Sequence, residues 1–111
     1  MRCRPLLASL SFLLAGCGST AALTGGGNAR SGAVLFVTAR CVQCHAVNGA
    51  GGTSAPDLTQ NLSAIDHGVL RSFIVNPPAG MEYTRQLHLS SAQIHDLSAF
   101  AASSLKPAVK P

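Results

Sequence analysis

Cys41-Val42-Gln43-Cys44-His45 is the stretch on which the reading of this 111-residue chain turns. Side chains three residues apart stand on the same side of a helical turn, so this pentapeptide presents two thiols side by side with an imidazole next to them. A structural zinc site would need four protein ligands. His67, His88 and His95 are the histidines that could contribute to one, while the other two cysteines, Cys3 and Cys17, stand near the N-terminus. A thioredoxin-like thiol pair needs strands alternating with helices around the motif, and no convincing run of alternating residues is present.

The third chemistry fits without further partners. Cys-x-x-Cys-His is the c-type haem attachment signature. Two thiols on one turn can form thioether bonds to the two vinyl groups along one porphyrin edge, and the adjacent His45 then directs its imidazole at the iron as proximal ligand. One haem c, attached through Cys41 and Cys44, is the expected cofactor.

Upstream, Met1-Arg2-Cys3-Arg4 precedes an uncharged run from Pro5 to Gly16. A basic start followed by about a dozen apolar and small residues has the layout of a secretory signal, whereas a spanning helix needs roughly 20 apolar residues. Leu14-Ala15-Gly16-Cys17 resembles the lipobox of bacterial lipoproteins, which implies a signal peptide over 1–16 and lipidation of Cys17. Acyl chains there would anchor the protein to a membrane. Gly18 after the cysteine, in place of Asp, favours the outer membrane within that resemblance. Residues 17–28 are small, polar and Gly-rich, the composition of a flexible tether. Export also agrees with haem attachment, which takes place outside the cytoplasm in bacteria.

The leader changes the charge. The whole chain carries +4, but Arg2 and Arg4 leave with the signal, and the remaining six basic residues are scattered from Arg30 to Lys110 against Asp57, Asp66, Glu82 and Asp96. Nucleic-acid binding needs such residues clustered on one face, so that class is rejected.

Downstream, Arg30 to Arg40 reads as a helix with Asn28 or Ser31 as N-cap, and Val34, Val37 and Cys41 have the spacing of one face. Residues 48–57 read as a loop. Ser63 to Asp66 has capping-box spacing ahead of Val69, Leu70, Phe73 and Ile74, and Asn76-Pro77-Pro78 stops that helix. Ser90 to Gln93 is a fuller capping box, opening a last helix of about a dozen residues that Lys106-Pro107 ends. The fold class expected is all-α.

With these elements placed, residues 29–104 resemble a small class I cytochrome c domain, with 105–111 as a tail. The resemblance implies three to four helices around the covalently attached haem. Gly32 and Phe36 stand where the family has a glycine and an aromatic in its first helix, and Phe100 is the implied partner in the last. Pro56 resembles the proline whose carbonyl accepts the second N–H of the proximal histidine, holding its tautomer. Met81, the single methionine after the leader, stands in the loop that supplies the distal thioether, so His45 and Met81 are the implied iron ligands. Glu82 departs from the proline that commonly follows this ligand, which loosens the expected loop and leaves His88 or His67 as competitors. His95 is expected at the surface, and Arg40, Arg71, Tyr83 and Arg85 are candidates for the haem propionates.

Two protein ligands leave the iron no open position, so the expected role is one-electron transfer and not catalysis. The reading is a lipid-anchored, monomeric monohaem carrier on the periplasmic side of a bacterial membrane, meeting redox partner proteins by transient contact. The alternatives are a fixed haem subunit of a larger oxidoreductase complex and a haem sensor with a labile distal ligand.

Overall fold

The computed structural model describes residues 24–104. The expected signal peptide over 1–16, Cys17 and the expected tail from 105 onward lie outside the described residues. Four α-helices carry the domain: α1 Ala29–Thr38, α2 Leu62–Ile65, α3 His67–Val75 and α4 Ser91–Ala102. Two 3₁₀ turns, Cys41–Gln43 and Glu82–Leu87, join them. A two-residue antiparallel pair, β1 Ala46–Val47 and β2 Ala50–Gly51, follows the first.

α1 starts at Asn28, whose side chain accepts from the Ser31 N–H, satisfying one of the donors a helix start leaves open. Its packed face differs from the expected one. Gly32 and Phe36 are buried, while Val34 and Val37 are 59% and 58% exposed. Four-residue spacing from Gly32 to Phe36 defines a face as well as the Val34–Val37 spacing does, and the small residue decides between them. α1 crosses α4 at Gly32, where a Cβ would overlap the Asp96 carbonyl and meet Phe100 Cβ at 2.8 Å. That close approach brings the Phe36 and Phe100 rings to 5.3 Å between centroids, tilted by 52°, a favourable aromatic arrangement.

The core continues from Phe36 through Val47, Ile74, Ile94 and Leu97, with Leu35, Cys41, Val42, Leu58, Leu70 and Leu89 packed around it. A smaller cluster joins α2 to the end of α4 through Ala64, Ile65, Ala101 and Ala102. α4 opens with the capping box expected from Ser90 and Gln93. It ends at Ala102, before Lys106.

The middle of the chain departs from the single helix expected after Ser63. Asn61 caps α2 by accepting from Ser63 and Ala64, and Asp66 ends it in an extended conformation while capping α3 through Gly68 and Val69. Both caps are short polar side chains that compete with the helix for its own N–H groups, and Ser63 lies inside α2. At the other end, Asn76 closes α3 as expected from the prolines.

The tether also ends earlier than expected. Thr24 is buried, the Asn28 N–H donates to Asp96 Oδ1 at 2.8 Å, and a Cβ on Gly27 would overlap the His95 carbonyl. Residues 24–28 form a strap across α4, because the glycines allow backbone to lie directly on backbone.

Candidate functional site

The attachment motif is reached through a left-handed residue. Arg40, at φ 68°, reverses the chain after α1, and the 3₁₀ turn then holds Cys41 and Cys44 together: the Cys44 and His45 N–H groups both donate to the Cys41 carbonyl, at 3.2 and 2.9 Å. Both thiols are free, Cys44 exposed and Cys41 half-buried. Burial pushes the Cys41 thiol up from its ordinary range, against a smaller opposing effect of the Tyr83 hydroxyl.

The loop after the motif folds back over it. Asn48 and Gly49 both have positive φ, 55° and 79°, and join the two short strands in the manner of an Asn-Gly hairpin turn. The Gly52 N–H donates to Val42 and His45 carbonyls, and Ala55 N–H to the Cys44 carbonyl. Thr59 fastens the far side, its hydroxyl accepting from Asn48 N–H and its own N–H donating to Asp57. These two Thr59 groups hold the Asp57 carboxyl below the usual carboxylate range.

This folding brings Pro56 to the motif. His45 Nδ1 lies 2.8 Å from the Pro56 carbonyl oxygen. A carbonyl only accepts, so Nδ1 is the donor, and in the neutral ring that tautomer leaves the Nε2 lone pair for another partner. Cys41, Cys44, His45 and Pro56 are thus united in one hydrogen-bonded loop.

Met81 comes from the other side of the chain and is half-buried. Its N–H donates to the Pro78 carbonyl, and its carbonyl accepts from Thr84 as the 3₁₀ turn begins. Glu82 does not loosen this loop as expected: its carboxylate accepts from the Gly80 N–H at 2.9 Å, supplying a constraint of its own. Thr84, buried, donates to the Ile74 carbonyl at the end of α3. Tyr83 donates to the Ala39 carbonyl at 3.1 Å, so its hydroxyl is engaged with protein. Burial first, and then the neighbouring Cys41, push that hydroxyl up to about 12.

The histidines separate clearly. His67 packs edge-on against His95 with ring centroids 3.9 Å apart. His95, expected at the surface, has its Nε2 buried without a hydrogen-bond partner and faces the strap at Gly25. His88 is exposed and left-handed, φ 51°, at the end of the second 3₁₀ turn. Sequence spacing alone did not reveal the roles of Tyr83 and Thr84; hydroxyl residues just after a candidate ligand were the signal available.

These residues fit a porphyrin joined through two thioethers: two free thiols on one turn, an imidazole oriented by its second nitrogen, and a buttressed loop carrying a thioether. No curated protein and no solved structure gives a match to this chain. A family model, Cytochrome c, matches residues 29–104. The chain therefore belongs to the cytochrome c family, whose members hold haem c covalently through cysteine side chains, here Cys41 and Cys44.

Proposed function

We propose that this haem-containing electron-transfer protein is a lipid-anchored monohaem carrier working on the periplasmic side of a bacterial membrane, with His45 and Met81 as its iron ligands. Haem c supplies a one-electron couple when bound. The observation that carries the ligand assignment is the His45–Pro56 hydrogen bond. It fixes the ring and leaves Nε2, the coordinating atom, with a free lone pair. Met81 is the favoured second ligand because its loop is tied on both sides, whereas His67 is committed to His95. A thioether is a soft ligand suited to haem iron and raises the potential relative to a second imidazole.

Held by His45 and Met81, a bound haem would offer no open ligand position to a substrate, and its chemistry would be electron exchange through the haem edge. Partners would then meet the protein in small, transient contacts. The leader pattern and the lipobox-like Leu14-Ala15-Gly16-Cys17 support lipidation of Cys17, with the outer membrane as destination. Among the described residues no helix is long and apolar enough to cross a membrane.

Visible spectra of the haem-loaded protein test the ligand set. The ferric wild type should show the long-wavelength sulfur-to-iron charge-transfer band, and Met81→Ala should abolish it. An oxidised spectrum unchanged by Met81→Ala, with ready carbon monoxide binding by the reduced wild type, overturns the carrier reading in favour of a sensor. Cys17→Ser should release the protein from the membrane fraction.

A further inference from the structure

We infer that Tyr83 is a positioning residue that ties the Met81 loop to the haem attachment turn and so keeps the iron's second ligand in place. The inference rests on the reading of Met81 as that ligand.

Tyr83 stands two residues after Met81, and its hydroxyl reaches across to Ala39, two residues before Cys41. The Ala39 carbonyl belongs to the C-cap of α1, where carbonyls lack helical partners and need an outside donor. One hydrogen bond therefore joins the end of α1, the entry to the attachment turn and the exit of the Met81 loop. The Cys41 sulfur lies in the electrostatic reach of the same hydroxyl. A thioether sulfur carries no hydrogen and is a weak acceptor, so attachment of haem leaves the Ala39 carbonyl as the strong acceptor for the phenol.

The neighbouring residue makes the arrangement specific. Thr84 fastens the same 3₁₀ turn to α3 through the Ile74 carbonyl, and that bond survives the loss of the Tyr83 hydroxyl. Removing the hydroxyl thus frees the turn from the attachment motif without freeing it from the core. The effect should fall on the Met81–iron bond more than on the stability of the domain.

The test uses haem-loaded protein with attachment verified by intact mass. Tyr83→Phe removes only the hydroxyl. Ser90→Ala removes the cap of α4, a comparable structural insult that lies outside the Glu82–Leu87 turn and touches neither of its two anchoring bonds, and serves as the control. Imidazole added to the ferric protein competes with Met81 for iron. Its apparent affinity should rise roughly fivefold in Tyr83→Phe, the ratio corresponding to one hydrogen bond of ordinary net strength, and the sulfur-to-iron band should bleach at correspondingly lower imidazole. Tyr83→Leu should go further in the same direction. Ser90→Ala should bind imidazole as the wild type does while unfolding at lower denaturant. If Tyr83→Phe binds imidazole like the wild type, or if both variants shift together, Tyr83 has no positioning role. A wild type without the sulfur band overturns the Met81 reading and this inference with it, whereas a wild type with the band and an unmoved Tyr83→Phe overturns this inference alone.

Discussion

The α1–α4 crossing and the loop from Cys41 to Pro56 are held by different means. The crossing is made by side-chain packing: Phe36 against Phe100, Ile94 and Leu97 beneath them, and a helix contact so close that position 32 admits only glycine. The loop consists mostly of short elements joined by backbone hydrogen bonds, with a pair of two-residue strands and a three-residue 3₁₀ turn. Buried apolar contact is self-supporting, whereas exposed backbone hydrogen bonds contribute little net stability unless something excludes water from them. The crossing is a frame, and the loop is a fitting whose stability depends on what is joined to it.

The largest expected effect breaks the fitting. A Cys41→Ser, Cys44→Ser variant cannot attach haem, and a domain this small with few large aromatics is marginal by itself. It should lose its cooperative unfolding transition and most of its helical circular dichroism. A near-native transition would mean that the frame alone is enough. Next, Phe36→Ala strikes the frame and should cost about 3–5 kcal/mol in the haem-loaded protein, measured by denaturant unfolding. Its Met81-dependent spectrum should be unchanged below the transition, since the aromatic pair belongs to the α1–α4 crossing and the Met81 loop has its own anchors at Ala39 and Ile74. The smallest effect probes the junction of the two regions. Arg40 is left-handed at a position where helices usually place glycine, a conformation costing an ordinary residue about 1 kcal/mol or more. Arg40→Gly should raise stability by up to about 1 kcal/mol, and a loss of that size would show that the Arg40 side chain is itself holding the junction.

Legibility in the sequence follows the same division. The features written in contiguous residues were readable: the Cys41–His45 motif, the Ser90–Gln93 capping box, and the Asn76-Pro77 stop. Gly32, Phe36, Phe100 and Pro56 are placed by resemblance; the first three meet at the α1–α4 crossing, and the Pro56 carbonyl lies 2.8 Å from His45 Nδ1. What escaped depends on choices between equivalent local signals. Val34 and Val37 offer as good a helix face as Gly32 and Phe36, and only the approach of α4 selects the latter. Asn61 and Asp66 each outcompeted Ser63 as caps. The Asn48-Gly49 turn was a readable hairpin signal hidden by strands of only two residues. His95 and the bonds of Tyr83 and Thr84 depend on partners far along the chain, as 44 residues separate Tyr83 from Ala39.

The strap formed by residues 24–28 has a mechanical consequence. A pull on the N-terminal side of the domain is delivered first to α4, through the Asn28–Asp96 bond and the backbone contact at Gly27, and from there into the α1–α4 crossing. The load path thus reaches the packed helix crossing ahead of the cysteine turn and the methionine loop. Force arriving from the N-terminus would be borne by the frame before it could disturb the geometry around the metal.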